Sequence, residues 1–294
     1  MRELKILAVV VFFTLVTYWG VEPFAHSQMH PHVDAPDYTF NDVDGLNGTT
    51  GDAQNGANLV AMNCTACHSI QAAGFPKVMD DASSAAAYGV VPPDLSTSGL
   101  LYDENFLAAF IKDPVKATKT SHAFVDGKVH PMPAYGWMQP QEIADIVAYL
   151  KSIAPEKLTN KEVFQDACQR CHGIKYGDYR FDGTVSSMAA LTPVENITSY
   201  MGKTPPDLSQ YIRSRGDQWL HEFINDPQKH LEGTAMPRVG LTKAAEQQVV
   251  AYMTEVGDSS KDERAALGPK FLGYLVIFAI FAWLWKAKIW REVH

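Results

Sequence analysis

The chain has 294 residues, 46% hydrophobic and 20% charged, with a formal net charge of −8. That length admits two domains of ordinary small size. Between the apolar ends, residues 22–269 hold 19 of the 25 Lys and Arg but 31 of the 33 Asp and Glu, a net of −12; this disfavours nucleic acid and anionic lipid as partners and suits solubility or steering of a basic protein.

The first element is apolar. Leu4 to Val21 carries no charge beyond Lys5, a length and composition that fit a signal peptide or a spanning helix. The small-x-small pattern around Pro23-Phe24-Ala25 is poor and Tyr18-Trp19 resembles an interfacial aromatic pair, so residues 1–21 are expected to stay as a membrane anchor. Residues 22–50 read as an extracytoplasmic linker.

Next comes a short helix around Gly56-Ala-Asn-Leu59-Val60, leading into Cys64-Thr-Ala-Cys67-His68. The same pentad recurs as Cys168-Gln-Arg-Cys171-His172, after a lead-in at Lys161-Glu-Val-Phe164-Gln, and the two copies use all four cysteines. Cys-x-x-Cys-His suits covalent c-type haem: the thiols form thioethers to the two vinyl groups, and the histidine reaches the iron. A redox dithiol leaves both histidines unexplained. So does one zinc site shared by the four thiols, which also requires sulfurs about a hundred residues apart to converge. Two covalently attached haem c groups are expected, with no thiol left for a structural disulfide. Thioether attachment takes place on the outer side of bacterial membranes, so the haem region is expected in the periplasm.

The motifs belong to a larger repeat. Pro92-Pro93-Asp94-Leu95-Ser96 returns as Pro205-Pro206-Asp207-Leu208-Ser209, Phe110-Ile-Lys-Asp113-Pro114 as Phe223-Ile-Asn-Asp226-Pro227, and Met132-Pro133 as Met236-Pro237. The haem motifs and the Met-Pro pairs are offset by 104 residues, the two middle blocks by 113. The second copy thus has nine more residues before the proline block and nine fewer before Met-Pro. Each copy closes on a helix. In the first, Pro140 and Glu142 occupy the first turn and Ile143, Ile146, Val147 and Leu150 share a face; in the second, Thr242 caps a helix presenting Val249, Tyr252 and Met253. Domains are expected over 51–154 and 155–257.

The last element follows a linker at 258–269. Phe271 to Trp285 is apolar throughout, bounded by Lys270, Lys286 and Lys288, with Trp283, Trp285 and Trp290 as interface aromatics. A spanning helix over 270–290 is expected, and the basic flank places the tail 291–294 in the cytoplasm.

For the irons, His68 and His172 are the proximal ligands. The sixth position calls for a soft, neutral donor that favours ferrous iron. Met236 is the choice in the second copy, His221 and His230 lying in the helix before it. Met132 matches it in register in the first copy, where His130 is the rival, and bis-histidine ligation there lowers the potential. His122 and Met138 compete more weakly. Tyr135 and Trp137 are candidates to shield the haem edge.

On these residues each copy resembles a class I cytochrome c domain, which implies an all-α fold with the first and last helices crossed. The resemblance implies that backbone carbonyls at Pro93 and Pro206 accept from the proximal imidazoles and that a late loop supplies the distal methionine. It also implies a Phe164–Tyr252 contact between crossed helices, and Leu59 or Val60 against Tyr149 in the first copy, where the lead-in aromatic is absent. The tandem domains with a C-terminal anchor and basic tail are similar to the dihaem cytochrome c subunit that replaces cytochrome c1 in the bc1 complex (quinol–cytochrome c reductase) of Campylobacterota, a likeness extended by Met1-Arg-Glu-Leu-Lys5 and Ala25 to His32. It implies cytochrome b and a Rieske iron–sulfur protein as partners in a bacterial inner membrane, with a soluble cytochrome c or terminal oxidase as acceptor and no isolated catalytic activity. The dihaem subunit of a cbb3-type oxidase, whose anchor is N-terminal, is the alternative. A freestanding tethered carrier and a dihaem peroxidase are further readings, the peroxidase requiring an open iron position.

Overall fold

The computed structural model describes residues 2–29, 35–179 and 185–293; of the residues singled out in the sequence, Met1, His30, Pro31, His32 and His294 lie outside these. Residues 1–36 form a unit of their own. It is one helical run, α1 (Arg2–Val16), a π turn (Thr17–Val21) and α2 (Glu22–Met29). Leu4–Met29 is 26 residues long and reaches a mean hydropathy of 2.0 over an 18-residue window, long and apolar enough to cross a membrane. The helix therefore runs past the expected boundary at residue 21.

The second unit holds the repeat. Its first copy contains α3 (Ala53–Asn63), α4 (Asp81–Tyr88), α5 (Ser98–Leu101), α6 (Glu104–Lys112), α7 (Pro114–Ala117) and α8 (Pro140–Ile153). The second contains α9 (Asn160–Cys168), the strands β1 (Ile174–Tyr179) and β2 (Val185–Met188), then α10 (Val194–Met201), α11 (Tyr211–Arg215), α12 (Asp217–Asn225), α13 (Pro227–His230) and α14 (Lys243–Gly257). Local chemistry sets the ends. Thr159 and Glu162 form a capping box on α9, Gln139 and Glu142 do so on α8 with Pro140 at its first position, and Asp52, Asp103 and Thr242 cap α3, α6 and α14.

In each copy the lead-in and closing helices pack together, α3 on α8 and α9 on α14. The second crossing is aromatic: Phe164 and Tyr252 meet at 5.0 Å between ring centroids. The first is made at Gly56, where an added Cβ would lie 2.0 Å from the Asp145 carbonyl oxygen and 2.8 Å from the Tyr149 Cβ. Glycine lets the backbones approach where the lead-in lacks an aromatic. Val60, at the position of Phe164, is fully buried with Ile146, Val147 and Leu150. The two cores touch: Leu101 of the first copy is buried among Val163, Phe164, Val249 and Tyr252 of the second, and Tyr102 packs against both clusters.

The expected all-α fold holds, with one addition, the two-stranded β1–β2 hairpin. In the first copy Ile70 and Phe75 form an isolated antiparallel bridge, and in the second Ile174 pairs with Met188. These pairs occupy equivalent positions, so the nine-residue insertion is the hairpin itself. Its polar, glycine-containing sequence lacks the apolar alternation that marks a strand. The compensating nine residues lie in the first copy's loop 118–131, which reaches the second copy: His122 Nε2 is 3.0 Å from the Thr234 carbonyl oxygen, Lys128 Nζ donates to the Tyr200 carbonyl, and Phe124 and His130 pack on the Tyr200 ring.

Two stretches expected as linkers are structured. Residues 37–50 form a strap across both copies. The Asp37 N–H donates to Asn225, Tyr38 Oη to Glu246 at 2.6 Å, and the Leu46 N–H to Asn105, while Phe40 is buried with Phe106 and Ala109. Residues 261–269 belong to α15 (Lys261–Val293), which continues through Pro269 and the apolar segment. Lys261–Arg291 is 31 residues long and reaches a mean hydropathy of 1.8 over an 18-residue window, again enough to span a membrane by length and composition.

Candidate functional site

The lead-in helices deliver the attachment motifs. α3 ends at Asn63 and α9 at Cys168, and in both copies one further turn follows. There the second cysteine and the histidine donate their N–H groups to the first cysteine's carbonyl at 3.1 and 2.9 Å. Cys64, Cys67 and His68 are thereby spaced i, i+3, i+4 on one helical face, as are Cys168, Cys171 and His172. All four thiols are free. Burial pushes the Cys64 thiol up to about 11 and the Cys168 thiol up to about 12, which keeps them neutral. Among the described residues no three His, Cys, Asp or Glu side chains converge as a metal cluster, so the four thiols do not meet in one site.

The proline blocks fix the imidazoles. His68 Nδ1 is 2.8 Å from the Pro93 carbonyl oxygen, and His172 Nδ1 is 2.9 Å from that of Pro206. With Nδ1–H donating to a carbonyl, the lone pair sits on Nε2, the orientation a metal-ligating histidine requires. Burial holds both imidazoles below the ordinary histidine pKa, so they are neutral near pH 7. This donor set fits a haem iron in each copy, beside a cysteine pair placed for thioethers.

Asp94, Ser96, Asp207 and Ser209 belong to the same clamp, although the sequence marks them only as parts of a turn. The Leu95 N–H donates to the Ser69 carbonyl and the Leu208 N–H to that of Gly173. Asp94 and Asp207 accept from Gln71 and Lys175 backbone N–H, while Ser96 and Ser209 hydroxyls accept from those of Ala72 and Tyr176. Each block thus grips three of the four residues after its histidine. The identity of the repeated pentapeptide was the available signal.

On the distal side, Met132 is half-buried against the first core, beside Tyr135, and Met236 is half-buried in the loop before α14. The Met132 N–H donates to His130 Nδ1 at 3.2 Å, and the Met236 N–H to Thr234 Oγ1 at 3.4 Å. His130 and Thr234 occupy the same place in the repeat and do the same work, closing the turn before the methionine. The His130 ring is also hemmed edge-on by Phe110, Phe124 and Tyr200. Met138 is buried in the first core. His122 faces Thr234, His221 Nδ1 lies 2.9 Å from Glu246, and His230 sits 3.5 Å from Glu222. Tyr135 Oη donates to the Asn63 carbonyl beside the first attachment turn, whereas Trp137 is exposed.

The family model for cytochrome c matches residues 53–154 and again 160–257. A solved structure described as "Hyperthermophilic respiratory Complex III" is similar over 98% of this chain and 99% of its own, at 19% identity and a TM-score of 0.33. The two family matches enclose both attachment turns, both proline clamps and both Met-Pro loops, so the chain belongs to the cytochrome c family and carries two of its domains in tandem.

Proposed function

We propose that the chain is the dihaem, membrane-anchored electron-transfer subunit of a quinol–cytochrome c reductase. In this role it takes electrons from a Rieske iron–sulfur protein and passes them to a periplasmic cytochrome c or an oxidase, while cytochrome b handles quinol. The carrying observation is the twice-repeated histidine geometry, Nδ1 on a proline carbonyl and Nε2 left for iron. The spanning-length α15 directly after the second domain supports the assignment to a complex over a soluble carrier.

Haem c supplies one-electron chemistry at iron. The chain's residues set its terms: Cys64, Cys67, Cys168 and Cys171 would form the thioethers, His68 and His172 would ligate, and the Pro93 and Pro206 carbonyls would strengthen them as donors. Met132 and Met236 would supply the remaining iron ligands, leaving His130 to shape its loop as Thr234 does. Soft thioether ligation favours the ferrous state, which suits a carrier at the oxidising end of a quinol chain.

Purification of the tagged chain from its native membranes tests the reading. Cytochrome b and a Rieske protein should accompany it, and the denatured chain should retain two haems by pyridine haemochrome. Recovery of the chain alone would sink the complex. Recovery with a copper–haem oxidase subunit would establish the cbb3 alternative, to which the spanning-length run Leu4–Met29 also conforms.

A further inference from the structure

The internal repeat shows which face of the first copy lies open. In the second copy, the surface between the attachment turn and the cap of the closing helix is covered by residues 97–103 of the first. Thr97 Oγ1 donates to Asp166 at 2.7 Å, and Tyr102 pairs with Leu241 as an antiparallel bridge. The Asp103 N–H donates to the Gly240 carbonyl and the Thr242 N–H to that of Leu101, both at 2.9 Å. Leu101 and Leu241 are buried in the second core as a result.

The corresponding face of the first copy is not covered. Counted back from the attachment cysteine, Met62 stands where Asp166 stands. Counted back from the caps Gln139 and Thr242, Met138 and Trp137 take the places of Leu241 and Gly240. Met138 is buried, but Met62 is 72% exposed and Trp137 67%. The two exposed residues belong to one face: Tyr135, whose ring centre is 6.1 Å from that of Trp137, donates from Oη to the carbonyl of Asn63, the residue after Met62. Apolar side chains grouped in the open mark an interaction site, and tryptophan is a common anchor of such contacts.

The chemistry of the face selects its occupant. Residues 53–76 and 129–141, which build it, contain no Asp, Glu, Lys or Arg, within a region whose net charge is −12; residues 157–174 of the second copy contain five. The matching surface is uncharged and apolar, as Thr97-Ser-Gly-Leu-Leu-Tyr102 is for the second copy. Another copy of this chain does not offer one. Its own 97–102 is already packed on its second domain, and the corresponding 210–215 places Ser214 and Arg215 where Leu101 and Tyr102 stand. The patch is also small, on the scale of short-lived electron-transfer encounters and not of a permanent subunit contact.

We infer that the Met62–Trp137 face is the docking surface for a soluble cytochrome c that presents an uncharged apolar patch, so that electrons leave the chain from its first copy. This rests on the proposed role as an electron-transfer subunit.

The pre-reduced, detergent-solubilised full chain tests it against the purified soluble cytochrome c of the same organism, with ferricyanide as an oxidant too small to need a docking face. Stopped-flow mixing gives the ratio of the two oxidation rates. Met62→Ser and Trp137→Ser should each lower that ratio about tenfold or more, and Val194→Ser, at an exposed apolar site of the second copy, should leave it unchanged. Benzoylphenylalanine at residue 62 should photo-cross-link to the cytochrome, and at residue 194 it should not. An unchanged ratio in both Met62→Ser and Trp137→Ser overturns the surface, as does a cross-link from 194 and not from 62. A cross-link from 62 to another copy of the chain overturns it too. If Trp137→Ser loses haem, Met62→Ser and the cross-link decide. A wild type that ferricyanide oxidises and the cytochrome does not would instead refute the acceptor step of the proposed function.

Discussion

Each attachment histidine donates Nδ1–H to a carbonyl that proline leaves in a fixed place, so ligand orientation is set by the backbone and not by a second titratable side chain. The distal side follows similar economy. A side-chain acceptor two residues before each methionine, His130 or Thr234, takes the methionine N–H. From this equivalence, His130→Thr should leave the ferric methionine–iron charge-transfer band of the dihaem protein unchanged. On the proposed ligation, Met132→His and Met236→His should each remove about half of it. A band unchanged in Met132→His would transfer the ligand role away from that residue. The clamp carboxylate gives a second expectation. Asp207→Ala leaves the Lys175 and Ser209 N–H groups without their acceptor and should lower stability by roughly 1–3 kcal/mol, read as a lowered urea midpoint of the haem-loaded protein. Asp207→Asn, which keeps an acceptor oxygen for only one of the two N–H groups, should recover only part of it.

At the scale of elements, the helix crossings divide into what periodicity reveals and what it conceals. The lead-in and closing helices are legible because their apolar residues recur at helical spacing and their caps are conventional, and the Phe164–Tyr252 pair follows from the resemblance to class I cytochrome c. The Gly56 crossing is concealed, because glycine reports only that space is short. The hairpin is hidden for lack of apolar alternation. The strap hides because, in a stretch rich in Asp, Asn and Gly, Phe40 reads as a lone aromatic until its partners Phe106 and Ala109 are known. Gly268-Pro269 marks a boundary in sequence, yet α15 runs through it. Phe164→Ala should cost about 3–5 kcal/mol, measured by urea unfolding with both haems in place. Gly240→Ala should also be costly. Its φ is +74°, and a Cβ there would lie 1.9 Å from Phe106 Cδ1, where the Gly240 carbonyl accepts from the Asp103 N–H. Conformational strain and overpacking together put the loss at roughly 2–4 kcal/mol, and Phe106→Leu in the same chain should recover part of it by making room.

For the whole molecule, the two haem domains are held as one body by the strap and by the ion pairs beneath it. Arg238, two residues past Met236, is buried. It donates from Nη1 to both carboxylate oxygens of Asp42 at 2.8 Å and from Nε to the Asn225 carbonyl, and its guanidinium lies 4.6 Å from the centre of the Phe40 ring. Lys119, on the first copy's long loop, lies 2.9 Å from Asp42 and also pairs with Asp226 of the second copy. The strap thereby ties the loop of one distal methionine to the loop preceding the other. Burial pushes the Asp42 carboxyl up, but hydrogen bonds and charge from Arg238 and Lys119 outweigh it and hold the pKa at about 2. The unfolded value is about 3.9. Because the folded value is the lower one, the stabilisation is complete above about pH 4 and is lost as the pH falls toward 2. Asp42→Asn should therefore lower the urea midpoint at neutral pH, where Arg238 loses its counter-charge, and should lose less than the wild type between about pH 4 and 2. Carboxylates away from the strap titrate alike in both proteins, so the difference between the two curves reports the strap, Asp42 together with Asp37, which feels its charge. Parallel curves through that window would show that Asp42 does not hold the domains together through its charge.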